Sequence, residues 1–161
     1  MRRLLLIRHA KSSHKDIDLD DHERPLSKRG ERDAITMARY LEQRDEALDV
    51  IYTSTAIRAI DYAQTISDFT GITLVPDLSF YTFDSDELIE ILKCLPESVY
   101  CVAIVAHNPA IINAVRRLTN QSIKKLPTSG IVALNCPVDE WNELSDVQLN
   151  IDYTITPKML S

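Results

Sequence analysis

Short, nearly unbroken apolar runs alternate along this chain with longer stretches that are apolar on one side only. Runs at residues 4–7, 48–52 and 99–106 are apolar on successive rather than alternate positions, the pattern of strands covered on both faces. Residues 3–8 read as the first strand and residues 12–26 as a polar loop. Residues 27–44 read as a helix with Ala34, Met37, Ala38 and Leu41 on one face. A second helix spans residues 55–69, with Thr55 as N-cap and Gly71 as the stop. Residues 72–75 form a short strand. The Asp84-Ser85-Asp86-Glu87 segment opens a helix through Leu95 in capping-box fashion. Asn108 caps a further helix, with Pro109 in its first turn, that ends near Thr119. Residues 131–135 and 147–153 complete the pattern as strands that include an antiparallel edge. The expected fold is therefore α/β: a three-layer α/β/α sandwich around a mostly parallel central sheet.

Composition narrows what such a fold does. With 161 residues, 45% of them hydrophobic and 26% charged, the chain is expected to form one domain over residues 1–161. A net charge of −6 argues against nucleic acid as the main partner. No run is long enough for a membrane span, and the apolar stretch after Met1 is too short for a signal peptide. Cys94, Cys101 and Cys136 are odd in number, lie in apolar surroundings and form no CxxC pair. Neither a disulfide framework nor a zinc site is indicated, and a reducing cytoplasm is the expected compartment. Oligomeric state is not legible.

The chemistry gathers where the apolar runs end. The first stops at Arg8-His9, the second leads through Thr53-Ser54-Thr55 to Arg58, and the third stops at His107. Ligands of open parallel sheets bind outside the carboxyl ends of the strands. Only three glycines occur, at 30, 71 and 130, so no Gly-rich phosphate loop can be assembled. A phosphoryl group would have to be held by side chains, for which paired guanidinium groups are suited. Arg8 and Arg58 are the candidates. A neutral imidazole is a competent nucleophile near pH 7, the role open to His9, while His107 can donate to a phosphate oxygen beside a helix N-terminus. Strand alternation sends Arg8 and His9 to opposite faces, so the strand must break there for both to share one pocket. His14, His22 and the aspartates at 16, 18, 20 and 21 read as solvated loop residues. A metal held by His9, His107 and a loop carboxylate is disfavoured by the adjacent arginines, and no cofactor is expected.

The segment Arg8-His9-Ala10 resembles the RHG-type signature of the histidine phosphatase superfamily, with alanine for glycine. The resemblance extends through Arg24-Pro25-Leu26, Ser54-Thr55-Ala56-Ile57-Arg58, His107-Asn108-Pro109 and Leu126-Pro127-Thr128-Ser129-Gly130, and is to the small SixA-type phosphohistidine phosphatases. It implies a phosphoglycerate mutase-like fold without large lid insertions. It further implies that His9 takes the phosphoryl group, that Arg8, Arg58 and His107 bind it, and that Arg24 reaches the same pocket. The implied activity is metal-independent removal of phosphate from a phosphohistidine-bearing protein. A small-molecule phosphomonoesterase and a non-catalytic phosphohistidine-binding module are the alternatives. Thr82 stands where many relatives carry an acidic proton donor, leaving Asp84, Asp86 or none for that task. An imidazole leaves as a neutral ring when its other nitrogen is protonated, so a missing acid favours phosphohistidine over a phosphate ester.

Overall fold

The computed structural model describes residues 1–161. Its strands are β1 (Arg2–Arg8), β2 (Val50–Thr53), β3 (Leu74–Pro76), β4 (Cys101–Ala106), β5 (Ile131–Cys136) and β6 (Asn150–Ile155). The helices are α1 (Lys28–Arg44), α2 (Ile57–Thr70), α3 (Ser85–Lys93) and α4 (Ala110–Thr119). One sheet of order β3-β2-β4-β1-β5-β6 forms the middle layer. β1, β2, β3 and β4 pair in parallel, whereas β5 pairs antiparallel with both β1 and β6. The antiparallel strand therefore lies one in from the edge and not at the edge, and β6 returns to the common direction.

β1 and β4 are central, and Leu4–Ile7 of β1 and all of β4 are apolar because each strand feeds both cores. Leu4, Leu6, Val102, Ile104 and Ala106 face one layer, together with buried residues of α3 and α4. Leu5, Ile7, Cys101, Ala103 and Val105 face the other, against α1 and α2. This strict alternation is the three-layer arrangement read residue by residue. The expected α/β class is realised with a mostly parallel sheet.

Local chemistry sets the boundaries. Ser27 caps α1 by accepting from the Gly30 amide at 3.0 Å. Gly30 itself has no room for a side chain, because a Cβ there would run into the backbone carbonyl of Lys11. That carbonyl also takes the Ser27 amide at 2.9 Å and hydroxyl at 3.1 Å, tying the chain just after β1 to the start of α1. Gly71 ends α2 at φ 74°, a left-handed position that suits glycine.

Two helix starts and one capping box differ from expectation. Thr55 does not cap α2: Ala56 occupies that position without a side-chain bond, and Ser54 Oγ accepts the Ala56 amide at 3.2 Å instead. Thr55 is left to bond His22. Pro109 is itself the N-cap of α4, while Asn108 reaches past it to accept the Ile112 amide at 3.2 Å. Asp84 caps α3 through the Asp86 amide at 3.0 Å. Glu87 accepts from Thr82 Oγ1 at 2.6 Å rather than closing the box. Of the three cysteines, Cys101 and Cys136 are buried but Cys94 is exposed, and none forms a disulfide. No helix is long and apolar enough to cross a membrane.

Candidate active site

Neighbouring parallel strands place the two histidines. Arg8 is the register partner of Ala106 across β1 and β4, so His9 and His107 occupy the next rung and both continue the α1/α2 side. The His9 amide still bonds the Ala106 carbonyl at 3.0 Å, and the Ser129 amide bonds the His9 carbonyl at 2.9 Å. The two ring centroids lie 5.1 Å apart. Arg8 points to the opposite face, as alternation demands, and its guanidinium is anchored on the Leu126 carbonyl at 3.0 Å. From there its charge is felt at His9 and opposes that of Arg58. β1 ends at Arg8, as expected, and the long Arg8 side chain rests on the Leu126 carbonyl within range of the Arg58 charge.

Hydrogen bonds define which ring atoms are available. His9 Nδ1 lies 2.7 Å from the Ala10 carbonyl. A carbonyl only accepts, so Nδ1 carries the proton and Nε2 keeps its lone pair. His107 Nδ1 faces an Arg58 guanidinium N–H at 3.4 Å, which can only donate. Nδ1 is therefore the acceptor, and His107 Nε2–H donates to Ser54 Oγ at 2.7 Å. Burial is the main cause that brings the His9 pKa down to about 4, helped by the charges of Arg58 and Arg8, and the His107 pKa down to about 3, helped by the His9 ring and then Arg58. Both imidazoles are neutral at physiological pH.

Arg58, in the first turn of α2 and only 3% exposed, is the hub. It donates to the Asp21 backbone carbonyl at 2.5 Å and to Asp21 Oδ2 at 2.9 Å. Asp21 Oδ2 also accepts from the Tyr81 hydroxyl at 2.7 Å, and Arg24 lies 3.4 Å from Oδ1. Burial raises the Asp21 carboxyl, but Tyr81, Arg58 and Arg24 outweigh it and hold the group below its ordinary value. Arg24 further contacts Ser12 Oγ at 2.5 Å and His14 Nε2 at 3.0 Å. Arg8, His9, Arg24, Arg58 and His107 are thus brought into one neighbourhood.

Other loop residues divide sharply. His14 is exposed, in keeping with a surface role apart from its Arg24 contact. His22 is not simply solvated: Nε2 lies 2.7 Å from Thr55 Oγ1, and its ring meets Tyr81 edge-on at 4.7 Å. Asp84 caps α3 and Asp86 pairs with Arg117, so neither carboxylate is directed to the imidazoles. Asp21, expected among solvated aspartates, is the carboxylate that touches the site. Tyr81 and Phe83 were equally without a sequence signal; their rings lie 5.3 and 5.1 Å from that of His107. No group of three or more His, Cys, Asp or Glu side chains is placed to hold a metal ion.

The depressed histidines make a stability prediction. Below the ordinary imidazole pKa of ~6.5 the unfolded chain binds protons that the folded rings refuse until pH falls to about 4 and about 3. Folding stability is therefore undiminished above that range and is lost as pH drops through it, by about 2 kcal/mol or more per ring at pH 4.5. Denaturant unfolding at pH 7 and 4.5 should show this loss, and His107→Gln should remove part of it. Equal acid losses in the two proteins would contradict the assignment.

A sequence model of the histidine phosphatase superfamily (branch 1) matches residues 4–82. An uncharacterized protein of Mycobacterium leprae is 30% identical over 150 residues, covering 86% of this chain and 91% of that protein. An uncharacterized chloroplastic protein of Arabidopsis thaliana is 31% identical over 155 residues, covering 88% of this chain and 70% of that one. Among solved structures, the protein histidine phosphatase SixA in complex with tungstate has a TM-score of 0.83 at 18% identity, over 99% of both chains. From the matched residues, the full-length relatives and the shared fold together, the chain belongs to the histidine phosphatase superfamily.

Proposed function

We propose that the protein is a phosphohistidine phosphatase that works through a covalent intermediate on His9. The observation that carries this reading is the free Nε2 lone pair of a neutral His9 beside His107 and two buried-side guanidinium groups. Nε2 attacks phosphorus while the bond to the leaving nitrogen breaks, its electron pair going to the departing ring. Nδ1–H, held by the Ala10 carbonyl, supports the cationic phosphoimidazole that forms on the enzyme. Water then displaces His9 and releases inorganic phosphate. Arg8, Arg58 and Arg24 balance the charge on the equatorial oxygens. The Nε atom of Arg8 is buried without a protein partner, so part of that guanidinium is not committed to the fold. Binding of tungstate by the SixA protein of the same fold is consistent with such a cradle.

The choice of phosphohistidine over an ester rests on the leaving group. An alkoxide needs a proton donor, yet the one carboxyl in contact with the site, Asp21, is held ionised by Arg58 and Tyr81. A ring protonated at its second nitrogen departs without such help. Charge stabilisation comes from guanidinium groups, so the reaction is read as metal-independent. A protein carrying the phosphohistidine is the natural substrate for a pocket at the open end of the sheet, and the three unpaired thiols suit a reducing compartment.

Rates on a phosphohistidine peptide and on glycerol phosphate, each with and without a chelator, test this. The expected result is at least a hundredfold preference for the P–N bond that chelation leaves unchanged. A preference for the ester would favour the phosphomonoesterase. Tight binding with no phosphate release would favour the binding module, and loss on chelation would overturn metal independence.

A further inference from the structure

We infer that Phe83, backed by Tyr81, forms the surface on which the leaving ring packs, and so sets the preference for an imidazole-bearing substrate. The inference rests on the proposed phosphohistidine reaction and centres on Phe83, to which that reaction gives no part.

Phe83 is 45% exposed although its ring lies 5.1 Å from that of His107, which is fully buried. An aromatic side chain left half in water over a buried polar ring does little for the core. It presents a flat apolar face beside the place where the phosphoryl group must sit. Tyr81 completes a corner: its ring meets Phe83 edge-on at 5.5 Å and His107 edge-on at 5.3 Å. Both rings are held from behind. The Tyr81 hydroxyl is tied to Asp21, and Thr82 between them is buried, donating to Glu87 and accepting the Asp84 amide at 3.2 Å. A pre-set aromatic corner recognises a planar ring through offset or edge-to-face contact, and an ammonia or alkyl leaving group offers no such face.

Because the corner contacts only the part of the substrate beyond the departing nitrogen, its contribution separates from that of the phosphate cradle. Phosphoimidazole and phosphoramidate both present a P–N bond, but only the first carries a ring. The experiment compares kcat/KM for the two compounds in the parent protein, Phe83→Ala and Phe83→Trp, together with inhibition by free imidazole. Phe83→Ala is expected to lose about tenfold more on phosphoimidazole than on phosphoramidate and to weaken imidazole inhibition by a similar factor. Phe83→Trp is expected to restore both.

Equal losses on the two compounds would mean that Phe83 merely shields His107, and no loss on either would mean that it is idle; each overturns the inference alone. A parent protein that cleaves phosphoramidate but not phosphoimidazole would overturn the phosphohistidine reading as well.

Discussion

His9→Ala is expected to release no phosphate from a phosphohistidine peptide and to form no acid-labile phosphoenzyme. Loss of a nucleophile in a covalent mechanism typically removes about 10⁴-fold or more of the rate, and nothing nearby can replace it. His107 Nε2 is committed to Ser54 and Nδ1 faces Arg58, so its lone pair is not presented to the pocket. The variant should keep its fold, because the His9 backbone bonds to Ala106 and Ser129 do not involve the ring. It should also keep measurable affinity for tungstate, because the guanidinium groups remain. Rapid-quench mass spectrometry of parent and variant checks the intermediate. Turnover within tenfold of the parent, or a phosphoenzyme that persists without His9, would refute the mechanism.

What the sequence discloses of this site follows from which interactions are local. The strand ends at Arg8-His9 and at His107 are legible because continuous apolar runs can only be central strands, and parallel neighbours bring their carboxyl ends together. Alternation is legible too, and Arg8 obeys it. What periodicity cannot convey is where the long side chain of an arginine at a strand end comes to rest, here on the Leu126 carbonyl. Strand direction is equally silent in a hydrophobic pattern, so β5 was recognisable as a strand but not as the inner antiparallel one.

Asp21 shows the same limit more sharply. It sits among Asp16, Asp18 and Asp20 in a polar loop, and composition gives no ground for choosing one. Only tertiary pairing with Arg58, 37 residues away, and with Tyr81, 60 residues away, singles it out. The shifted helix starts have a different origin. Ser54 and Asn108 lie ahead of the N-cap positions Ala56 and Pro109, yet their side chains accept the Ala56 and Ile112 amides. In both places a residue within a functional motif also holds the backbone at the helix start, and a rule read one position at a time misplaces the boundary.

Arg8→Met is expected to be nearly inactive and yet, without an anion, at least as stable as the parent. Arg8 is desolvated and its charge opposes that of Arg58, both of which lower its pKa. Its Nε is buried without a protein partner. The single carbonyl it binds, that of Leu126, also accepts from Asn108 Nδ2 at 3.1 Å, so removing the guanidinium orphans no acceptor. A methionine of similar length fills the space without a desolvated charge, and such replacements are often neutral or stabilising by about 1 kcal/mol or more. The same charge is what a phosphoryl group needs. Its loss should lower kcat/KM by about 10²- to 10³-fold, the range seen when one preorganised donor to a developing charge is removed, and should weaken tungstate binding. The two effects combine into a reversal of rank. A ligand at a hundred times its Kd stabilises the folded state by about 2.7 kcal/mol, so saturating tungstate should lift the parent above Arg8→Met in thermal unfolding, although the variant melts at the same temperature or higher without it. The reversal is expected only if the guanidinium is held against its own neighbours for the sake of an anion. A variant that is less stable under both conditions, or one that gains as much from tungstate as the parent, would show that Arg8 instead supports the end of β1.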